Sequence, residues 1–339
     1  MVMRSNGIHQ NLPDRVGPAD SSFQQEEGKN RAVVIPVRNR ADQLEKCLES
    51  LCKQEFAEGQ WEVLVCDDGS TTDISEMVNR FRDSLPGLRL LRQPALGPAA
   101  ARNLGFRSSS AAIFVCMDSD VTCGPDFFRR LVEALKLHPE WIAAEAAIRP
   151  VEGDEGPLWD APVCGHGGRY HTAAMAYRRD ALIEAGGLDE KFHLAACEDV
   201  ELAVRLLQQG PIGFVPEAIV FHPRRRVTLS RSWFWRQHWP YVMILAKRYG
   251  FLSFPGRAVG RLPRLRVAAA AVLTLPGGRF LNACGHFKCN PAVAMIACLF
   301  ALFDVACGIC ALPDILFSPV PPRKNYLLCN EAAPEALDP

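Results

Sequence analysis

The sequence has a long stretch without acidic residues. From Ala218 to Phe303 it contains 13 Lys or Arg residues and no Asp or Glu. The 217 residues before this stretch hold 33 acids and 23 bases, so an acidic body is joined to a strongly basic segment. The formal net charge of the whole chain is zero, and this balance does not indicate nucleic-acid binding.

A disulfide framework and an apolar leader are also missing. The 13 cysteines are scattered, and most lie in apolar runs, as Cys66 and Cys116 do. The first residues, MVMRSNGIHQNLPDR, contain no apolar stretch of the kind found in secretory signals. We therefore expect reduced thiols in the cytosol. Cys307 and Cys310 form a C-x-x-C, and their apolar surroundings favour small core residues over a zinc or redox site.

Two common nucleotide-binding fingerprints are absent. The first strand-like run is followed by PVRNRADQ instead of G-x-G-x-x-G, and no G-x-x-x-x-G-K-[ST] occurs. The sequence therefore indicates neither a nicotinamide enzyme nor a P-loop enzyme. If a nucleotide binds, other groups must hold it, and Asp67 and Asp68 are suited to accept hydrogen bonds from a base or ribose.

Continuous apolar runs alternate with runs that repeat apolar residues at helical spacing. This alternation predicts an α/β fold in which a mostly parallel sheet is flanked by helices. Residues 1–30 are polar and aperiodic, and they predict a flexible arm. The predicted strands cover 31–37, 61–70, 88–93, 111–120 and 141–150, and the predicted helices cover 41–54, 73–85, 97–110 and 125–139.

The stretch CEDVELAVRLLQQG predicts a further helix. Its apolar residues Val200, Val204 and Leu207 are expected to face inward. Asp199 then lies in the first turn, where the helix dipole favours a carboxylate. Residues 212–223 follow this helix and predict a strand pair.

Acidic residues stand where two of the predicted strands end. Asp67 and Asp68 close one strand, and Asp118 and Asp120 close another. The carboxyl ends of parallel strands meet at one edge of a sheet, which is where such sheets bind ligands. One interpretation of the Asp-Ser-Asp stretch is structural or helix-capping. The other is a site for Mg²⁺ or Mn²⁺, which take one or two carboxylates together with substrate phosphates.

The basic region contains aromatic residues and is followed by an apolar run. Bases alternate with Trp and Tyr in its first part, and residues 292–312 carry a single charge, Asp304. This composition predicts a basic aromatic membrane-surface or acceptor-binding region over 223–291 and an apolar membrane-associating helix over 292–317. A flexible tail is predicted over 318–339. The alternative is a buried core helix with a basic, solvated face.

Six short motifs occur in an order that resembles the family-2 glycosyltransferases of the GT-A fold. They are VVIPVRNR, VLVCDDGSTTD, GPAAARNLGF, VCMDSD, AMAYRRDALIEAGGLDEKF and EDVELAVRLLQQG. Each motif alone is weak, whereas all six in this order and at these intervals are specific. The resemblance covers residues 31–222 and implies that this range is a GT-A catalytic domain.

The resemblance implies roles for individual residues. Asp199 is expected to act as the general base, supported by Glu198. Asp120 and His222 are expected to bind Mn²⁺ or Mg²⁺. Within the donor site, Asp68 is expected at the base and Arg102 near the diphosphate. The implied donor-binding residues are Pro36, Arg38, Asp67, Asp68, Arg102 and Asp118.

Three of these positions have other interpretations or depart from the family pattern. Asp199 has the alternative of an ordinary acid in a first helical turn. His222 has the alternative of a histidine that precedes proline at a strand end. Arg38 stands where the family often has an aromatic residue, which weakens the expected stacking against the donor base.

The expected activity is inverting transfer of a sugar from a nucleotide-sugar donor to an acceptor hydroxyl. The Q-x-x-R-W motif of processive synthases is absent, because Arg236, Gln237 and Trp239 do not follow that pattern, and this indicates transfer of a single sugar. Docking on a membrane would make a lipid or lipid-linked glycan the acceptor, at the cytoplasmic face. The alternatives are a sugar-phosphate nucleotidyltransferase and a non-catalytic sugar-nucleotide- or membrane-binding module. The former leaves the Glu-Asp helix unexplained, and the intact acids argue against the latter.

Overall fold

The computed structural model describes most of the chain up to residue 228 and short pieces beyond it. The described residues are 31–54, 61–85, 87–153, 156, 158–228, 241, 244–245, 248–249, 252–254, 257–259, 295, 299, 302 and 326–327. The predictions made for residues 1–30 and for the C-x-x-C of Cys307 and Cys310 lie outside these residues.

Strands and helices alternate along the chain, as the sequence predicts. The strands are β1 Arg31–Val37, β2 Trp61–Asp68, β3 Leu88–Gln93, β4 Ile113–Met117, β5 Thr122–Cys123, β6 Ala143–Pro150, β7 Trp159–Asp160, β8 Ala174–Arg178, β9 Ile212–His222, β10 Arg225–Arg226, β11 Leu252–Phe254 and β12 Arg257–Val259. The helices are α1 Ala41–Leu51, α2 Ser75–Asn79, α3 Pro98–Arg107, α4 Phe127–Leu137, α5 Arg179–Ala185 and α6 Glu198–Leu206.

One eight-stranded sheet organises the domain, with the strand order β3-β2-β1-β4-β8-β6-β9-β5. Strands β1 to β4 run parallel to one another, and β6 runs parallel to β9. Strand β8 is antiparallel to both β4 and β6, and β5 is antiparallel to β9. Only β8 and β5 oppose the common direction, so the predicted α/β fold with a mostly parallel sheet is confirmed.

Helices cover both faces of this sheet. All eight residues of β2 are buried, and because strand side chains alternate between the faces, both faces of such a strand need apolar cover. Residues Leu44, Leu48 and Leu131 of α1 and α4 belong to the core on one face. Residues Leu104, Leu182 and Leu202 of α3, α5 and α6 belong to the core on the other.

The predicted inward face of α6 is wrong. Val200 and Val204 are only partly buried, and Leu207 is exposed. Charged side chains are buried instead, because Arg205 donates to Glu201 at 2.5 Å and they satisfy each other away from water. The buried face consists of Glu198, Glu201, Leu202, Ala203, Arg205 and Leu206.

Two strand predictions also need correction. Residues 212–223 do not form a strand pair; they form the single strand β9, whose pairing with β6 shifts register between Ala146 and Ala147. Strand β8 lies inside a motif that the sequence analysis did not assign to a strand. Since β8 is antiparallel to β4, it starts at the edge where β1, β2 and β4 end. Residues just before β8 therefore share this edge, called the rim below, with the residues that follow β1, β2 and β4.

Residues of the C-terminal extension contact the α/β domain. Arg248 pairs with Asp189 at 2.7 Å and with Glu201 at 3.3 Å, and the Tyr249 hydroxyl donates to Glu201 at 2.7 Å. Tyr326, in the segment predicted as a flexible tail, donates its hydroxyl to Asp189 at 3.1 Å. In the described part of the chain no helix is both long and apolar enough to cross a membrane.

Candidate active site

The loops after β1 and β2 are joined through Asn39. Its backbone is left-handed, with φ of 54°, and its backbone N–H donates to the Ser70 hydroxyl at 3.0 Å. Its side-chain oxygen accepts from the backbone N–H of Thr71 at 2.8 Å. Sequence reasoning missed Asn39, although Asn after a strand is a known signal for a left-handed turn. Asn39 therefore ties together the two loops that carry the predicted donor contacts.

Asp67 and Asp68 are both buried, and both shape turns. Asp67 accepts from the backbone N–H of Ser70 at 3.0 Å. Asp68 accepts from the backbone N–H groups of Leu96 at 2.8 Å and Gly97 at 2.9 Å. Asp68 thus holds the turn that leads into α3. Contact of either carboxylate with a donor base stays a prediction.

The other predicted residue at this end of β1 is Arg38, which is exposed next to the buried Pro36. Pro36 lies beside Cys66 of β2 in the sheet register. The two residues are at the same rim as Asp67 and Asp68, which agrees with the position the sequence predicts for a donor site. Their contact with a donor stays a prediction.

Arg102 links the two acidic motifs. Its guanidinium donates to Asp118 at 2.5 Å and lies 3.5 Å from Glu198, and only 3 % of its side chain is exposed. The acids of β4 and α6 are 80 positions apart in sequence, and this buried cation brings them to one place. The predicted contact of Arg102 with a donor diphosphate stays a prediction, since in this structure its charge faces protein carboxylates.

Asp120 is surrounded by cationic side chains. Its Oδ2 atom accepts from Arg40 at 2.6 Å and from Arg225, and His222 Nε2 lies 3.6 Å from its Oδ1 atom. Burial alone would raise the pKa of Asp120, but Arg225, His222 and Arg40 together lower it. Sequence reasoning missed Arg225 and Arg40 as partners, because they lie 105 and 80 positions from Asp120.

The groups at Asp120 suit a hard divalent cation. Asp120 Oδ1 is buried and has no hydrogen-bond partner within the described residues. His222 Nδ1 lies 2.8 Å from the Pro223 carbonyl, which only accepts, so Nδ1 is a donor; in the neutral form of the ring, Nε2 then has the lone pair that can bind a metal ion. A carboxylate oxygen and an oriented imidazole are a usable pair of ligands, and substrate phosphates complete such sites. Within the described residues no three His, Cys, Asp or Glu side chains form a metal-binding group.

Glu198 and Asp199 begin α6, as the sequence predicts. Cys197, just before them, has a left-handed backbone with φ of 69°. Asp199 Oδ1 accepts from the backbone N–H of Val200 at 2.7 Å, and its Oδ2 lies 3.2 Å from His171 Nδ1. Burial and the nearby charge of Asp199 raise the pKa of Glu198 to about 8, although Arg102 opposes the shift. Glu198 therefore holds a proton at neutral pH, whereas a general base must be ionised to accept one.

Replacing Glu198 by Gln should lower kcat by less than ~10-fold, below the loss expected for a general base. Gln imitates the protonated side chain. In the wild type, the folded carboxyl keeps its proton up to about pH 8, while the unfolded one loses it near ~4.3, so burial of Glu198 costs more stability as the pH rises. The melting temperature of the variant minus that of the wild type should therefore increase between about pH 5 and about pH 8. A constant difference would contradict the raised pKa.

The fold and the motifs agree with known proteins. A sequence model described as Glycosyl transferase family 2 matches residues 32–161. Residues 32–161 belong to glycosyltransferase family 2. The resemblance seen in the sequence motifs is thereby confirmed for the family-2 domain.

A relative and two solved structures extend this comparison. The pre-mycofactocin glycosyltransferase of Mycobacterium tuberculosis is 31 % identical over 223 residues, which cover 60 % of this chain and 44 % of the relative. The mannosyltransferase PcManGT of Pyrobaculum calidifontis, solved with GDP-Man and Mn²⁺, has a TM-score of 0.56 at 20 % identity and covers 85 % of this chain and 88 % of its own. TarS of S. aureus, solved with UDP-GlcNAc, has a TM-score of 0.51 at 16 % identity and covers 83 % of this chain and 81 % of its own.

These comparisons differ in what they establish. The chain spans less than half the length of the M. tuberculosis relative. At 20 % identity or less, the two solved structures establish the fold, which is the GT-A fold that the motifs imply. The residues matched by the family model end before β8, α6 and β9, while the fold of PcManGT covers 85 % of this chain.

Proposed function

We propose that the protein is an inverting, metal-dependent glycosyltransferase that moves a single sugar from a nucleotide-sugar donor to an acceptor hydroxyl. The observation that carries the proposal is the buried guanidinium of Arg102, which joins Asp118 to the start of α6 and so brings the donor-side acids beside Asp199. The relatives support a nucleotide-sugar donor, since PcManGT was solved with GDP-Man and TarS with UDP-GlcNAc.

The exposure of Asp199 supports a role as the general base. An acceptor hydroxyl has a pKa far above 7 and must lose its proton as its oxygen attacks the anomeric carbon. The Asp199 side chain is 16 % exposed, so a hydroxyl at the rim can reach it. Attack from the side opposite the departing diphosphate inverts the anomeric centre.

Two cationic side chains beside Asp120 support stabilisation of a leaving diphosphate at the rim. Arg40 and Arg225 are 41 % and 40 % exposed while they contact Asp120, so each can also bind a phosphate at the rim. Asp120 and His222 would hold Mn²⁺ or Mg²⁺, which when bound acts as a Lewis acid that neutralises the diphosphate.

A thermal-shift screen tests the donor class. GDP-Man, UDP-GlcNAc and the free nucleotides are each added with and without Mn²⁺. We expect at least one sugar nucleotide to raise the melting temperature, and to raise it further with Mn²⁺, because a ligand of the folded state stabilises it by ~2.7 kcal/mol at ~100 times its Kd. The absence of any shift with all of them would contradict the proposal.

We also propose that the C-terminal region binds the cytoplasmic surface of a membrane and that the acceptor is a lipid or lipid-linked glycan. The support is the 13 bases without acids in 218–303 and the exposure of Met295, Leu299 and Leu302, which are 56 %, 59 % and 58 % exposed. These three residues are helical and spaced by four and three positions, so they share one face. The described cysteines are free thiols, which agrees with the cytoplasmic side.

The full chain should bind anionic vesicles and remain bound at ~0.5 M salt, because salt screens charges but not apolar insertion. Replacing Met295, Leu299 and Leu302 together by Gln should leave binding at low salt and abolish it at ~0.5 M salt. Flotation with vesicles of phosphatidylcholine and phosphatidylglycerol measures both.

A matched control is Leu137→Gln, since Leu137 is 77 % exposed on α4 of the α/β domain. This variant should float like the wild type at both salt concentrations. A wild-type protein that stays monodisperse without detergent and ignores the vesicles at low salt would contradict membrane docking, and the lipid acceptor would lose its main support.

A further inference from the structure

His171 contacts the proposed base and was not singled out by the sequence analysis. Its Nδ1 atom lies 3.2 Å from Asp199 Oδ2, across 28 positions of sequence. Its side chain is 30 % exposed, whereas that of Asp199 is 16 % exposed. His171 is therefore the more exposed of the two side chains, and it lies on the short connection that enters β8 at the rim.

A buried carboxylate fixes the loop that carries His171. Glu145 of β6 is 2 % exposed and accepts from three successive backbone N–H groups. The donors are Gly168 at 2.6 Å, Arg169 at 3.0 Å and Tyr170 at 2.5 Å. Tyr170 has a left-handed backbone, with φ of 58°, which turns the chain immediately before His171. A loop held this way presents the imidazole in one orientation, as a residue that positions a carboxylate requires.

We propose that His171 positions Asp199 by donating its Nδ1–H to Oδ2, which fixes the orientation of the carboxylate that removes the proton of the acceptor hydroxyl. The inference rests on the proposed role of Asp199 as the base. The acceptor O–H bond breaks as an O–H bond forms on Asp199, while the Nδ1–H bond of His171 stays intact. Asp199 then returns the proton to solvent, so no other reactant is needed.

The charges around His171 favour this hydrogen bond. The groups that face it are Asp199 of α6, Glu145 of β6 and Arg169 of its own loop. Burial alone would lower the pKa of His171, but the hydrogen bond with Asp199 and the negative charges of Asp199 and Glu145 raise it above its ordinary value, against a smaller opposing effect of Arg169. A carboxylate that raises the pKa of an imidazole favours an N–H on the ring nitrogen that faces it, which here is Nδ1.

The tautomer of His171 gives a test that does not depend on turnover. Imidazole nitrogen shifts of the isotope-labelled full chain are recorded against pH, and the His171 signals are assigned as those lost in His171→Gln. We expect the neutral ring to carry its proton on Nδ1, where it donates to Asp199. We also expect its titration to move to lower pH in Asp199→Asn. A neutral ring protonated on Nε2, or a titration unchanged by Asp199→Asn, would overturn the proposal.

Kinetics give the second test, with GDP-Man and UDP-GlcNAc as donors and water as the attacking hydroxyl. His171→Gln should lower kcat roughly 10-fold with an unchanged KM for the donor, a smaller loss than that of the base itself, because its amide replaces Nε2 and not Nδ1. His171→Asn places an amide N–H near the position of Nδ1 and should recover part of that loss. A His171→Gln variant with the wild-type kcat would overturn the role of His171.

A control separates this outcome from a failure of the proposed function. His138 forms an exposed pair with Glu140 at 3.1 Å, and His138→Gln should keep the wild-type rate and pH profile. If Asp199→Asn is inactive while His171→Gln behaves as the wild type, Asp199 remains the base and only His171 is excluded. If Asp199→Asn is active, the base assignment fails together with the inference.

Discussion

Replacing Asp199 by Asn should lower kcat at least ~100-fold, the lower end of the range for loss of a general base. Asn keeps the size of the side chain, and its amide oxygen can still accept from the backbone N–H of Val200, which now bonds to Asp199 at 2.7 Å. The fold and the donor affinity should therefore change little. Fixed-time assays of nucleoside diphosphate release measure kcat, and thermal shifts caused by the same donor measure the donor affinity.

Asp180→Asn is the matched control for this prediction. Asp180 also lies in the first turn of a helix, α5, and it is exposed away from the rim acids. It should retain the wild-type kcat, because its charge meets only the helix dipole. If Asp199→Asn kept a similar rate, Asp199 would be an ordinary first-turn acid and a different base would be required.

Replacing Asp120 by Ala should abolish metal-dependent turnover, a loss above the ~10–100-fold that supporting residues of metal sites produce. The change removes the carboxylate whose Oδ1 atom lacks a protein partner and whose neighbour is His222 Nε2. Asp120→Asn makes the same test with less disturbance, because its amide oxygen can still accept from Arg40 and Arg225. The folded state of both variants is checked by thermal melting, and Mn²⁺ binding is measured by its effect on that melting.

The control for the second prediction is Asp126→Asn. Asp126 pairs with Arg129 at 2.7 Å at the start of α4, on the surface, and its loss should leave activity intact. Full wild-type activity in excess chelator would contradict metal dependence. Activity that is lost in Asp120→Asn but survives chelation would instead point to Asp120 as an organiser of Arg40 and Arg225.

The charge split along the chain has a partial explanation within the fold. Arg225 and Arg248 both belong to the acid-free segment, and both reach acids of the α/β domain. Some of the positive charge therefore neutralises the acidic body, and the membrane proposal concerns the bases that remain. Composition alone assigns Arg225 to the membrane-surface or acceptor-binding region, whereas the fold brings its guanidinium to Asp120.

The parallel part of the sheet and the acids at its rim follow from the pattern of residues along the chain. Continuous apolar runs such as β2 must be covered on both faces, and parallel strands end at one edge, so Asp67 and Asp118 were predicted on the same rim from pattern alone. The first-turn position of Asp199 followed from the helical spacing of α6, although its buried face did not. That face buries Glu201 and Arg205, whose mutual pairing no hydrophobic pattern reveals.

The partners of these acids are set by the three-dimensional packing of the chain. His171 contacts Asp199 because β8 runs antiparallel to β4 and begins at the rim. A short apolar run does not reveal whether its strand is parallel or antiparallel to its neighbours. Arg40 and Arg225 meet Asp120 over separations of 80 and 105 positions, which local spacing cannot resolve. Long-range side-chain pairing depends on where the chain returns, and this is settled by packing of the whole sheet and not by any single segment.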